Sequence, residues 1–104
     1  MTIQLNADKN LSIHQEFRMK LTDMLSGELR RFIGQITRLE VHLSDENGPK
    51  KGLNDKRCLL EARLEGMRPV AVSEFSDTHE NAVIGAIEKL KVFLDKKLGR
   101  LSNR

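Results

Sequence analysis

The sequence predicts an α+β fold with the element order β-α-β-β-β-α, in which two helices pack on one face of a four-stranded sheet. Residues 36–43 alternate apolar and polar side chains, which is the period of a strand with one buried and one exposed face. Two longer stretches repeat their apolar residues at spacings of three and four, so each predicts a helix with a single apolar stripe. Such helices need a second layer to cover the stripe, and the apolar face of the sheet supplies it.

The first third of the chain predicts one strand and one helix. Residues 2–6 alternate Ile3 and Leu5 with polar residues, which indicates a short strand. Ser12 is the predicted N-cap of a helix of about twenty residues. Gly27 predicts a bend or a change of phase in its last turns, and Gly34 predicts its end. The apolar stripe of this helix consists of Ile13, Phe17, Leu21, Met24, Leu25, Leu29 and Phe32.

After the strand at residues 36–43, residues 44–55 are polar and rich in glycine, which favours an exposed loop. Strands follow at residues 56–64, where Cys58 has inward parity, and at residues 70–75. Asp77 or Thr78 caps the second helix, which Gly99 is expected to end. Strands joined by a helix should be parallel neighbours, whereas those joined by loops should be antiparallel. The inner stripe of the second helix consists of Val83, Ala86, Ile87, Leu90, Leu94 and Leu98.

Length and composition indicate one domain over residues 1–104. The 104 residues suffice for one core, and 38% hydrophobic against 32% charged residues is typical of a globular protein. No apolar run approaches the roughly 18 residues of a spanning helix, and the N-terminus lacks a signal-peptide pattern. We therefore expect a cytoplasmic protein with no membrane partner. The single Cys58 cannot form an internal disulfide, in agreement with a reducing compartment.

The sequence does not predict an enzyme. Asp45 and Glu46 are adjacent carboxylates, but they lie in a polar stretch where solvated charge is expected. His42, Asp45 and Cys58 lack the spacing of a metal site, and Cys58 is better explained as a small core residue than as a nucleophile. Phosphate-loop, GxSxG and HExxH motifs do not occur. We expect no catalytic residue, no metal, no cofactor and no small-molecule substrate.

Positive charge is concentrated in the second helix. Residues 89–104 contain six basic residues and one acid, so they carry +5, and the first 88 residues sum to −2. On a helical wheel, Lys89, Lys96 and Arg100 lie within about 40° of one another on one flank of the stripe. Glu88 and Asp95 fall on the opposite flank. A row of one sign is what a polyanion site needs, although lysines near a helix C-terminus are also favoured by the helix dipole alone.

Lys20 and Arg31 share a flank of the first helix, with Arg30 further round. If this flank meets that of the second helix, the two form a continuous basic strip for RNA phosphates. Without Trp or Tyr, the chain is expected to lack a stacking platform for bases. Phe93 is the one aromatic residue that could be partly exposed beside the basic flank, and a core position is the alternative.

Three motifs of the sequence resemble those of a known protein family. ITRLEVHLSDENG, DKRCLLEARLEG with PVAVS, and DTHENAVIGAIEKLKVFLDKKLGRL resemble the ribosome hibernation promoting factors, also called ribosome-associated inhibitor or sigma-54 modulation proteins, in their short form. The resemblance implies a fold like the double-stranded-RNA-binding domain. It also implies a non-enzymatic stress factor that binds small-subunit ribosomal RNA at the decoding region and inhibits translation.

Within this resemblance, Lys89 and Leu90 match the Lys-Leu pair of the family's second helix, and Lys96 stands at a usual basic position. Val92 and Asp95 occupy positions where many relatives carry Arg, so the basic strip is thinner. The expected RNA-binding residues are Lys20, Arg30, Arg31, Lys89, Lys96, Lys97 and Arg100. The alternative is a protein-interaction or self-association module that uses the exposed sheet face, with Leu59 and Phe75, and does not bind ribosomes.

Overall fold

The computed structural model describes residues 1–8, 11, 13–46 and 55–102, with side chains as far as residue 98. The order of elements confirms the predicted α+β fold. The elements are β1 (Thr2–Ala7), α1 (Gln15–Glu28), a 3₁₀ turn (Arg30–Phe32), β2 (Ile36–Asp45), β3 (Lys56–Leu64), β4 (Val70–Ser76) and α2 (His79–Ser102).

The four strands form one sheet in the order β1-β2-β3-β4. β1 and β2 are parallel, as expected for strands joined by a helix, and the two later pairs are antiparallel. The register places Leu5 beside Val41, Val41 opposite Leu60, and Leu60 opposite Val72. Because neighbouring residues in a register share a face, these apolar side chains form one continuous layer toward the helices.

The core lies between this layer and the two helices. Leu21 and Leu25 of α1 and Leu90 and Leu94 of α2 are fully buried, as is Cys58 of β3 with its predicted inward parity. Full burial of each leucine side chain stabilises the fold by roughly 1.5–3 kcal/mol. The predicted stripe of α2 is buried apart from its last member, which is partly buried.

The first helix begins and ends differently from the prediction. α1 begins at Gln15, and its N-cap is His14, whose side chain makes no capping hydrogen bond. The N-cap prediction for Ser12 is therefore wrong, and Ser12 itself lies outside the described residues. α1 ends at Glu28, after which the chain tightens into the 3₁₀ turn. This is the predicted change of phase after Gly27.

The second helix is capped by Thr78, one of the two predicted caps. Its Oγ1 accepts the backbone N–H of Asn81 at 3.1 Å, while the Asp77 carboxylate accepts the Asn81 side-chain amide at 3.0 Å. The predicted end at Gly99 is wrong, because α2 continues to Ser102. A glycine in a helix costs only about 1 kcal/mol relative to alanine, which is not enough to end a helix.

The predicted loop at residues 44–55 begins later than expected, and its last residue is buried. β2 extends to Asp45, and Asp55 is 94% buried rather than exposed. Both carboxylates accept hydrogen-bonding contacts from the ammonium of Lys56, at 2.8 Å from Asp45 and 3.1 Å from Asp55. Both bonds raise the pKa of Lys56, and the bond with Asp45 has the larger effect. The polar residues at the loop ends therefore extend the ladder, and residues 47–54 lie outside the described part of the chain.

Candidate nucleic-acid interface

The basic surface of α2 lies over β4 and the turn before it. We call Lys89, Phe93, Lys96 and Lys97 the α2 basic flank. Lys89 donates a hydrogen bond to the backbone oxygen of Ser73 in β4 at 2.8 Å. Toward the C-terminus, Phe93 and Lys97 line a pocket against residues 67–70. Phe93 lies three or four residues from each of the three lysines, so its side chain is next to each of theirs on the helix surface.

Lys89 is partly neutralised by a carboxylate from the sheet. Its ammonium is 3.5 Å from Oε1 of Glu74, which reaches up from β4. Gly85 makes room for this side chain, since a Cβ there would lie 2.7 Å from Cγ of Glu74. The Lys89 side chain is 52% exposed and that of Glu74 is 34% exposed, so solvent screens the ion pair and it contributes little to stability. Lys89 thus links α2 to the edge strand β4, and it is also a candidate phosphate ligand.

The basic residues of α1 do not extend this flank. Lys20 forms an ion pair of 2.7 Å with Glu80, and Arg31 forms one with Asp95. The guanidinium of Arg31 also lies 4.6 Å from the ring centroid of Phe32, a cation–π contact. The condition for a continuous basic strip, that the two basic flanks meet, is therefore not fulfilled by Lys20 and Arg31. The flank of α2 that faces α1 is its acidic one, so the cations of α1 meet carboxylates there.

A third ion pair of opposite polarity lies between these two. Lys91 of α2 is 3.2 Å from Glu28 of α1 and 3.8 Å from Glu88 on its own helix. The groove between the helices therefore carries positive and negative charges in alternation. Interspersed charges cancel at the distance of a phosphate, so this groove is a poor site for a polyanion.

Three of the predicted cations have no ion-pair partner among the described residues. Arg30, Lys96 and Lys97 form no ion pair with any residue that the structure describes. Arg30 lies on the α1 side, where it lines an open depression with Arg31 and Lys91. Lys96 and Lys97 lie on the α2 basic flank. The side chain of Arg100 falls outside the described residues, so its place in the set stays a prediction.

Sequence reasoning missed Arg68 and undervalued Phe93. Arg68 lies in the β3–β4 turn, where it lines a pocket of about 300 Å³ together with Phe93 and Lys97. It is exposed, and no ion pair of Arg68 occurs within the described ranges. Phe93 is 39% exposed, so the core alternative for this residue is wrong. Only the docking of α2 on β4 brings the turn and the helix together, and no local sequence signal indicates it.

The sheet face opposite the helices carries charges of both signs. Arg38 lies near Glu40, and His42 is 4.0 Å from Glu61. Phe75 is 46% exposed on this face, with the guanidinium of Arg57 at 5.8 Å from its ring centroid. Leu59 is only partly exposed. Single exposed apolar residues are normal on protein surfaces, and a mixed-charge face does not attract a polyanion.

Two observations on the described residues concern metal and thiol chemistry. No group of three His, Cys, Asp or Glu side chains within them is placed to hold a metal ion. Burial raises the pKa of the Cys58 thiol to about 12, so it is not a nucleophile near neutral pH. None of the described helices is both long and apolar enough to span a membrane.

Comparisons with known proteins support the fold. No protein-family model and no curated protein matches the chain. Among solved structures, the N-terminal domain of Protein Y from Thermus thermophilus has a TM-score of 0.72 at 23% identity, covering 92% of this chain and 98% of that one. A ribosomal subunit interface protein from Coxiella burnetii has a TM-score of 0.72 at 20% identity, covering 95% and 99%. These likenesses confirm the fold implied by the resemblance to the hibernation promoting factors.

Proposed function

We propose that the protein is a non-enzymatic, cytoplasmic, ribosome-associated factor that binds small-subunit ribosomal RNA near the decoding region and inhibits translation. The observation that carries this proposal is the α2 basic flank, where Lys96 and Lys97 form no ion pair with a described residue, on a fold that a ribosomal subunit interface protein shares. The family resemblance of the sequence supports the location and the inhibitory role.

RNA binding in this proposal is electrostatic and centred on the C-terminal half of α2. Lys96 and Lys97 contact phosphates directly, and Arg68 from the β3–β4 turn adds a third cation beside Lys97. Each phosphate contact releases condensed counterions, which drives binding and makes it dependent on salt. Arg100 belongs to the same end of the helix and completes the proposed set.

The remaining proposed residues contribute less, because they already have partners. Lys20 and Arg31 contact RNA only if they leave Glu80 and Asp95, and Lys89 only if it leaves Ser73 and Glu74. Exposed ion pairs contribute about 0–1 kcal/mol, so such an exchange is affordable but reduces the gain from each contact. Arg30 has no ion-pair partner among the described residues and serves as a secondary contact on the α1 side.

Co-sedimentation with purified small ribosomal subunits tests the proposal, with large subunits as the specificity control. The wild type should bind small subunits saturably, near one copy each, and more weakly as salt rises. The double variant Lys96→Gln, Lys97→Gln should bind more weakly. Arg38→Gln with Arg63→Gln is the matched control, because it removes the same charge from the opposite sheet face.

The choice of lysines follows from the structure. Lys89 is unsuitable for the first test, because its replacement also exposes the Ser73 carbonyl and leaves Glu74 without its cation. A loss of binding would then have two explanations. If the wild type does not bind small subunits even at low salt, the proposed function is wrong.

The second candidate is an interaction module on the open sheet face, and the exposure of Phe75 is the observation that favours it. It predicts that Leu59→Asp abolishes association with a partner or a second copy, while Lys96 and Lys97 are dispensable. Sedimentation velocity of the wild type over a hundredfold range of concentration, roughly from micromolar upward, tests self-association. A single monomeric species throughout contradicts that version.

A further inference from the structure

A small pocket opens where the β3–β4 turn meets the last turns of α2. Met67, Pro69 and Val70 form its apolar side, and Phe93 stands opposite on the helix. Its volume is about 300 Å³, at the lower limit of the pockets that hold small ligands. The pocket is therefore large enough for one flat group, but not for a helix or a strand.

Two cations lie at the pocket and have no anion. Arg68 and Lys97 both line it, and neither forms an ion pair within the part of the chain that the structure describes. By contrast, the basic residues of α1 that face α2 are matched with carboxylates. Two unpaired cations beside an apolar pocket favour a ligand that joins a flat apolar group to a negative charge.

The aromatic ring gives the pocket a preference within that class. Phe93 is 39% exposed, although it is large and apolar and lies at the border of the buried stripe. Lys89, Lys96 and Lys97 stand three or four residues from it on α2, so cations surround the ring along the helix. An aromatic face next to backbone-binding cations is the arrangement by which proteins hold unpaired bases of single-stranded nucleic acid.

We propose that this pocket binds one unpaired RNA nucleotide, with the base stacked on Phe93 and the flanking phosphates contacted by Arg68 and Lys97. The inference rests on the proposed function and deepens it, because phosphate contacts alone do not distinguish paired from unpaired RNA. In a duplex the bases are stacked on one another and unavailable to the ring. The pocket therefore directs the protein to RNA where a base is turned out or single-stranded.

Fluorescence anisotropy with a labelled uridine oligomer of about ten nucleotides tests the pocket. This length is within the range that one domain binding single-stranded nucleic acid covers. Phe93→Leu keeps an apolar side chain but removes the aromatic face, and should weaken binding about 5- to 100-fold. Phe93→Tyr restores the face and should bind within about twofold of wild type. Phe75→Leu is the matched control, because Phe75 is similarly exposed on the opposite face of the sheet and should be neutral. Circular dichroism verifies that each variant is folded.

A competitor of equal length without bases separates stacking from charge. An unlabelled abasic ribose-phosphate chain should displace the labelled oligomer poorly from the wild type. From Phe93→Leu it should displace the labelled oligomer as well as the unlabelled uridine oligomer does. If Phe93→Leu binds the oligomer as tightly as wild type, or wild type does not bind it, the pocket proposal is overturned. Binding of an acidic peptide that depends on Phe93, with no binding of the oligomer, overturns it too.

Small subunits are measured in parallel so that the two proposals can fail separately. Phe93-dependent binding of the oligomer without binding to subunits supports the pocket and overturns the ribosomal function. If the wild type binds subunits saturably and Phe93→Leu binds the oligomer with unchanged affinity, the pocket proposal is overturned and the proposed function remains supported.

Discussion

Neutralising Lys96 and Lys97 should flatten the salt dependence of RNA binding more than removing the same charge elsewhere. Both lysines are exposed, and neither forms an ion pair with another described residue. Their replacement by glutamine therefore removes the two phosphate contacts proposed for them, and it leaves no described carboxylate without its cation. The expected effect is a change in slope, and not simply a lower affinity.

The magnitude follows from counterion release. Each phosphate contact contributes about 0.9 to the slope of log K against log salt for a duplex, and about 0.7 for a single strand. Loss of two contacts should reduce the slope by about 1.4–1.8. Referred to 1 M salt, where counterion release contributes nothing, this corresponds to about a 25- to 60-fold loss of affinity at 0.1 M.

Anisotropy titrations of a labelled RNA hairpin over roughly 0.05–0.3 M potassium chloride measure the slope. The matched control is Arg38→Gln with Arg63→Gln, since these two residues lie opposite each other on the sheet face away from the helices. Removing two like charges from directly opposed positions is not expected to destabilise the sheet. If the control flattens the slope as much as the α2 variant does, binding follows net charge, and the assignment of the α2 basic flank is refuted.

Three further predictions concern single side chains. Glu74→Gln removes one of the two partners of Lys89 and should tighten RNA binding, whereas Glu88→Gln, with the same charge change on the flank facing α1, should have a smaller effect in the same titration. Hydrogen bonds, first from the Asn81 amide and then from the Ser76 hydroxyl, lower the pKa of Asp77 below 3.8. The stabilisation by Asp77 is therefore present above that pH and is lost as the pH falls through the pKa of the folded state. Denaturant unfolding should show that Asp77→Ala lowers the free energy of unfolding at neutral pH and lowers it progressively less in acid. Because burial raises the pKa of Cys58 to about 12, a disulfide reagent at about pH 8 should label it only after unfolding, and rapid labelling of the native protein would contradict its burial.

The fold could be predicted from the sequence because each element carries its own periodicity. β3 has the predicted bounds, and β4 differs from its predicted span by one residue. The errors occur at the ends of elements, where polar residues decide. Asp45 read as a solvated loop residue, yet it bonds to Lys56 across the ends of β2 and β3. Such pairing depends on the register, which a local pattern does not contain.

The candidate site was predicted in part, for a different reason. A helical wheel correctly separates the basic from the acidic flank of α2, because both belong to one helix. It does not tell which flank faces α1. The sequence alone therefore allowed Lys20 and Arg31 to extend the basic strip, whereas the packing pairs them with Glu80 and Asp95. Arg68 was missed because it joins the site from a turn through tertiary contact.

The orientation of α2 decides where RNA is expected to bind. Its acidic flank faces α1 and its basic flank lies over β4, so the groove between the helices is electrically mixed and the unpaired lysines lie beside an edge strand. Lys89 donates a hydrogen bond to the backbone oxygen of Ser73 on that edge strand. The same orientation leaves Lys96 and Lys97 without an ion-pair partner among the described residues. RNA contact should accordingly be centred on the C-terminal half of α2 and the β3–β4 turn. On RNA binding, the protection of these residues from amide hydrogen exchange should exceed that of α1.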